Sequence, residues 1–159
     1  MLAERQRQLS SHTIDRKCKR TREHRVYVMK LKNLIPMLNV NNIKNSLTFY
    51  DKALGFQVVS DPAAVDEWKW ATILSGDTEL MLSESEGRPA LPQMIDPHKS
   101  VDWSAIYYFY PDDVEQLYRH VREAGYSPTP LETTFYGMKE FSLQDPDGHV
   151  LSFGQDAET

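Results

Sequence analysis

The chain is 159 residues long, 40% apolar and 26% charged, with a formal net charge of −5 and a single cysteine, Cys18. That length suits one ordinary domain or two small modules sharing a core, and one thiol excludes both an intrachain disulfide framework and a thiolate zinc site. No apolar run approaches the roughly 18 residues that a membrane span needs.

Charge divides unevenly. Residues 1–28 carry eight Lys or Arg against three Asp or Glu, leaving ten basic and twenty acidic residues to positions 29–159. An acidic body of this kind repels nucleic acid and anionic lipid and favours cationic partners. The first 28 residues show no apolar periodicity, and are expected to be a disordered basic tail or sequence upstream of a start at Met29. Glu4, Asp15 and Glu23 argue against a transit peptide, no signal-peptide segment is evident, and the expected compartment is cytoplasmic.

A single domain is expected over residues 29–159. Residues 34–40 read as a strand in which Pro36 demands an edge or hinge position. Asn41 and Asn42 can cap the following helix, whose Ile43, Leu47, Tyr50 and Leu54 recur at helical spacing before Gly55 stops it. Residues 56–60 form a second strand, 61–67 a turn-rich connection, 68–74 a third strand and 79–82 a fourth. Residues 84–102, rich in Pro, Ser, Gly and charge, read as a linker or flap. A strand over 103–110 follows, then a helix capped at Asp112 or Asp113, with Val114, Leu117, Tyr118 and Val121 on its buried face and Gly125 ending it. A short strand is expected over 126–129. The last element is a hairpin over 135–155, turning at Asp145-Pro146-Asp147-Gly148. Its alternation puts Met138, Glu140, Ser142 and Gln144 on one face and Phe141 and Leu143 on the other, with Val150 and Ser152 opposing Leu151 and Phe153.

The order repeats. Gly55 and Gly125 are 70 residues apart, and Ser-Gly-Asp-Thr-Glu-Leu-Met-Leu at 75–82 precedes Pro-Asp-Gly-His-Val-Leu-Ser-Phe at 146–153 by 71. Two copies of one βαβββ module, residues 34–83 and 103–155, explain this most simply. The expected fold is α+β, with two curved mixed sheets forming a cleft.

Gly137-x-Lys139-Glu140-Phe141, Asp145-Pro146-Asp147-Gly148 and Leu151-Ser152-Phe153 carry a family resemblance, joined by residues 35–40, Ser46-Leu47, Phe49-Tyr50 and Leu54-Gly55-Phe56. Together they resemble the vicinal-oxygen-chelate superfamily of glyoxalases, bleomycin resistance proteins and dioxygenases, in the bleomycin resistance version, over about residues 34–155. The resemblance implies a homodimer in which modules of two chains meet, with Pro36 where the first strand crosses to the partner. It also locates the metal ligands of the superfamily's enzymes on the first, fourth, fifth and eighth strands. Here Pro36, Met81 or Leu82, Ile106 and Ser152 stand at those positions, and none suits a divalent ion. The five histidines are His12, His24, His98, His120 and His149, and none pairs with another at metal-type spacing. No metal and no cofactor are therefore assigned, and His149, Glu140 and Glu79 are the only conceivable donors of an atypical site.

The second half and the strand mouths are aromatic. Tyr108 and Tyr110 are expected to share a strand face, as are Trp68 and Trp70, while Trp103, Tyr107, Phe109, Phe135 and Tyr136 lie nearby in the chain order. Such rings stack on planar or cationic ligands, but they also serve as sheet core or as an interface. The resemblance implies that Trp70, Tyr108, Tyr110 and Tyr136 line a drug groove, with Asp66, Glu67 and Glu140 supplying negative charge, and Trp68 joins them as a ligand-binding candidate through the strand face it is expected to share with Trp70. Lys139 replaces the family's arginine, Met138 is an extra residue, and tyrosines replace tryptophans. The expected function is metal-independent sequestration of an aromatic or cationic small molecule, by a homodimer without catalytic residues. The alternatives are a glyoxalase- or dioxygenase-type lyase or oxidoreductase with an atypical metal site, and a protein-binding patch. No phosphate loop, nucleophilic triad or basic stripe is present, so neither nucleic acid nor membrane is an expected partner.

Overall fold

Asn42 opens the first helix of the computed structural model, which describes residues 32–87 and 105–157. The Asn42 side chain accepts a hydrogen bond from the Asn45 amide, and Gly55, in the left-handed region at φ 68°, donates back to the Asp51 carbonyl. Between them runs α1 (Ile43–Leu54), preceded by β1 (Met37–Val40). Then come β2 (Gln57–Val58), α2 (Pro62–Asp66), β3 (Trp70–Ser75) and β4 (Thr78–Glu84). The second half repeats the scheme with β5 (Ile106–Phe109), α3 (Val114–Glu123), β6 (Glu132–Thr133), β7 (Met138–Gln144) and β8 (Val150–Asp156). All of these lie in one compact unit, Leu34–Thr159.

Two four-stranded sheets result, in the orders β1-β4-β3-β2 and β5-β8-β7-β6. In each, the first strand runs parallel to the last of its module and every other pair is antiparallel. The repeat inferred from spacing is thus a repeat of topology. One face of each sheet is apolar and helix-covered: Leu38, Val40, Ala71, Ile73, Leu80 and Leu82 in the first, Phe141, Leu143, Leu151 and Phe153 in the second. They pack with Ile43, Phe49, Tyr50 and Ala53 of α1 and with Val114 and Val121 of α3. Burying each large apolar side chain contributes on the order of 1.5–3 kcal/mol, so this shared layer is the main source of stability. The hairpin alternates as its sequence demands, with Phe141 stacked on Phe153 at 4.9 Å.

The modules are also joined by buried polar contacts. Asp145 accepts hydrogen bonds from the Tyr50 hydroxyl at 3.0 Å and, through the same oxygen, pairs with His149 Nδ1 at 2.8 Å. Asp147 accepts from the Asn41 amide at 2.8 Å and from Ser46 Oγ at 3.0 Å. The Asp-Pro-Asp-Gly turn therefore does more than reverse the chain. Asp147 holds the start of the first module's helix and Asp145 its later part at Tyr50, and as buried acceptors with several donors each they meet the requirement that burial imposes.

Several boundaries differ from expectation. Residues 61–67 contain the helix α2 rather than turns alone, because the Asp61 side chain accepts from the Ala63 amide and Pro62 fits the first helical position. The third strand begins at Trp70, since Lys69 takes a positive φ of 54° and interrupts the extended run, which leaves Trp68 off the strand. Glu84 ends β4 instead of opening the linker, with its carboxylate accepting from the Ile43 amide at 2.8 Å. Residues 126–129 make no strand. Pro128 and Pro130 lack amide donors, the contact is limited to Thr129 and Ser142, and the edge strand is β6. The basic tail, Cys18, His12, His24, His98, Trp103 and most of the linker lie outside the described residues. No described helix is long and apolar enough to cross a membrane.

Candidate functional site

The face of the second sheet turned away from the helices carries Tyr108 on β5, Glu140 on β7, and Ser152 and Gly154 on β8 between them. Tyr107 and Phe109 alternate with Tyr108 and pack into the core, which commits Tyr108 to the open side. Its ring lies across β8 at Gly154. A Cβ added at that glycine would stand 1.8 Å from the Tyr108 hydroxyl and 2.7 Å from Cζ, so only glycine permits the crossing. The hydroxyl thereby reaches Glu140 Oε1 at 2.5 Å.

Tyr136 approaches the same carboxylate from the turn before β7 and donates to Oε2 at 2.7 Å. Thr134 Oγ1 accepts from the Met138 amide at 3.0 Å, and Gly137 takes φ 83°, a conformation costly for other residues; together they fix this turn. Tyr110 completes the arrangement, with its ring centroid 5.0 Å from that of Tyr108 and a tilt of 54°. Phe135, 99% exposed, stands edge-on to Tyr136 at the outer rim. Between them lies an open groove of about 640 Å³ lined by Tyr108, Tyr110, Tyr136, Met138, Glu140 and Asp156 among others. That volume is in the range of small-molecule sites.

Burial pushes the Tyr108 hydroxyl well above the usual phenol range, and its bond to Glu140 pushes it further. Tyr136 is raised mainly by the same carboxylate. Both hydroxyls accordingly stay protonated donors through neutral and mildly alkaline pH, and the charge at the centre of the groove is that of Glu140. Among the described residues, two carboxylates and no basic side chain line the cavity. Rings around a carboxylate can stack on a planar group and attract a cation.

Of the residues singled out from sequence, Tyr108, Tyr110, Tyr136 and Glu140 are brought together here. The other four sit around α2 and the start of β3, away from the lining of this cavity. Trp70 is half-buried at the head of β3, opposite Ser83, and Trp68 is 72% exposed just before it. Asp66 pairs with Lys44 at 3.0 Å, and that hydrogen bond and charge hold its carboxyl below the usual range. Glu67 is exposed at the end of α2. Gly154, Met138 as a lining side chain, and Asp156 were not singled out. A glycine inside an alternating strand was the available signal for Gly154, since it often marks a close approach of another group.

The profile of the Glyoxalase/Bleomycin resistance protein/Dioxygenase superfamily matches residues 33–153. The chain belongs to this superfamily. It is 26% identical over 129 residues to bleomycin resistance proteins of Geobacillus stearothermophilus and Staphylococcus aureus, an alignment covering 76% of this chain and 94% of each relative. Among solved structures, it resembles a glyoxalase family protein from Enterococcus faecalis with a TM-score of 0.62 and 24% identity, over 80% of this chain and 100% of that one. A bleomycin-binding protein complexed with bleomycin aligns with a TM-score of 0.58 and 23% identity, over 79% of this chain and 99% of that one. These likenesses establish the vicinal-oxygen-chelate fold.

The donors of a divalent metal centre do not fit this superfamily member. Of the residues at the ligand positions, Pro36 has its carbonyl taken by the Met81 amide at 2.9 Å, Met81 and Ile106 offer a thioether and a hydrocarbon, and Ser152 Oγ is shared with Ser142 Oγ at 2.8 Å. Glu140 is engaged by two tyrosines, His149 is buried against Asp145 on the helix side, and Glu79 lies on the other sheet. Among the described residues no three His, Cys, Asp or Glu side chains come together in a way that could hold a metal ion.

Proposed function

We propose that this protein binds and sequesters a planar, cationic small molecule of the bleomycin type without a metal ion. The observation that carries the proposal is the convergence of Tyr108 and Tyr136 on Glu140, with Tyr110 against the Tyr108 ring, in an acidic groove. Aromatic faces give a planar ligand stacking energy, each contact worth about 0.5–1.5 kcal/mol beyond burial, and the carboxylate selects for positive charge. The bleomycin resistance proteins among its relatives, and the bleomycin complex with the same fold, support this ligand class.

A homodimer belongs to the same proposal. Met37 and Leu74 on the open face of the first sheet are exposed, as are Ile106 and Tyr108 on the second. Pairing the first sheet of one copy with the second sheet of another would cover both. Titration of the metal-free protein with bleomycin, followed by aromatic fluorescence, tests the proposal. Saturable quenching unaffected by chelator is expected. Absence of a response, or a response only after a divalent metal is added, would overturn it.

A further inference from the structure

We propose a second binding site, on the helix side of the sheets, that takes a small organic ammonium ion with an apolar body. A cavity of about 540 Å³ opens there between the β3–β4 turn, the C-terminal end of α1 and the segment joining β5 to α3. Its floor is apolar: Phe56 and Phe153 are buried, Phe109 and Leu117 half-buried. Its rim carries Asp77 from one module and Asp112 from the other, both exposed, and among the described residues no basic side chain lines it.

The rim is preformed. Gln155 donates from Nε2 to the Asp112 carbonyl at 2.8 Å and accepts from the Val114 amide at 3.1 Å, which clamps the segment entering α3. On the opposite side the turn residue Gly76 adopts φ 56°. Tyr110 and Pro111 line both this cavity and the tyrosine groove, so the two sites lie on either side of one short segment.

The occupant follows from the lining. An apolar floor gives nothing to a bare hydrated metal ion, whose ligands must be oxygen donors converging on a point. Two uncompensated carboxylates at the mouth repel carboxylates and phosphates. An amine or quaternary ammonium on an aryl or alkyl body satisfies both parts, its apolar portion resting against the half-buried Phe109 and Leu117 and its head facing the acidic rim. This site stands independently of the function proposed for the groove.

Three probes with one body and different heads test it on the full chain: phenylbutylamine, phenylbutanol and phenylbutyrate, titrated by amide chemical-shift mapping. The amine is expected to perturb Leu54, Gly76, Asp112 and Leu117, and to bind about tenfold more tightly than the alcohol at low salt. Asp77→Asn with Asp112→Asn should reduce the amine to the level of the alcohol. Thr78→Trp, an exposed change at the mouth, should block all three probes, and Glu140→Gln should leave them unaffected. Shifts confined to the tyrosine groove, equal binding of amine and carboxylate, or indifference to the aspartate changes in the folded double variant would each overturn the proposal.

Discussion

Gly154 decides the groove by what it lacks. Because a Cβ there meets the Tyr108 ring, Gly154→Ala should drive that ring off β8 and break its bond to Glu140. The fold should tolerate this, since the obstructed group is the outer end of a partly exposed side chain. We expect bleomycin affinity to drop about tenfold, the equivalent of one charged hydrogen bond, with little change in Tm. In a Tyr108→Ala background the glycine change should cost nothing further, so a double-mutant cycle checks the coupling. Glu140→Gln keeps an acceptor for one tyrosine and removes the charge. It should weaken cationic ligands by roughly ten- to a hundredfold and neutral aromatic ones far less, which comparative titrations would read.

At the scale of elements, the hairpin β7–β8 connects the two functions of its sequence. Alternation sent Phe141 and Leu143 inward and Glu140 outward, as was legible from residue order, while the turn's aspartates grip α1 through contacts that no local pattern announces. Tyr50 is the test of that grip. Burial, then the charge of Asp145, pushes its hydroxyl well above the ordinary value of 10.0. A group with its folded pKa raised contributes stability that is complete below the unfolded value and declines as pH rises above it. The protein should therefore lose stability as pH climbs beyond about 10, and Tyr50→Phe should flatten that decline. The same substitution strips Asp145 of a donor and should cost about 1–3 kcal/mol near neutrality. Urea melts from neutral to alkaline pH would measure both.

For the whole molecule, the open sheet faces set assembly. Ile106 is 44% exposed on the face that the proposed dimer covers. Ile106→Glu places an unpaired charge in that interface, and should shift a species of twice 18.4 kDa toward the monomer while leaving the monomer folded. Sedimentation velocity with circular dichroism would show it. Weakened bleomycin binding should accompany dissociation if both copies contribute to the groove, and unchanged binding would assign the groove to one chain.

Residue order alone determined the two-module repeat, the capped helices α1 and α3, and the sharing of one face by Tyr108 and Tyr110, because periodicity, capping and turn chemistry act within a few neighbours. It misjudged α2, where Asp61 and Pro62 turned a supposed loop into helix, and Trp68, which Lys69 removes from the strand. Only tertiary structure decided that Glu140 meets Tyr108 across Gly154, that Lys44 engages Asp66, and that the Asp-Pro-Asp-Gly turn reaches Tyr50. Those meetings depend on strand register and on the packing of one module against the other, and both are fixed by burial of the shared core rather than by any local preference of the residues that meet.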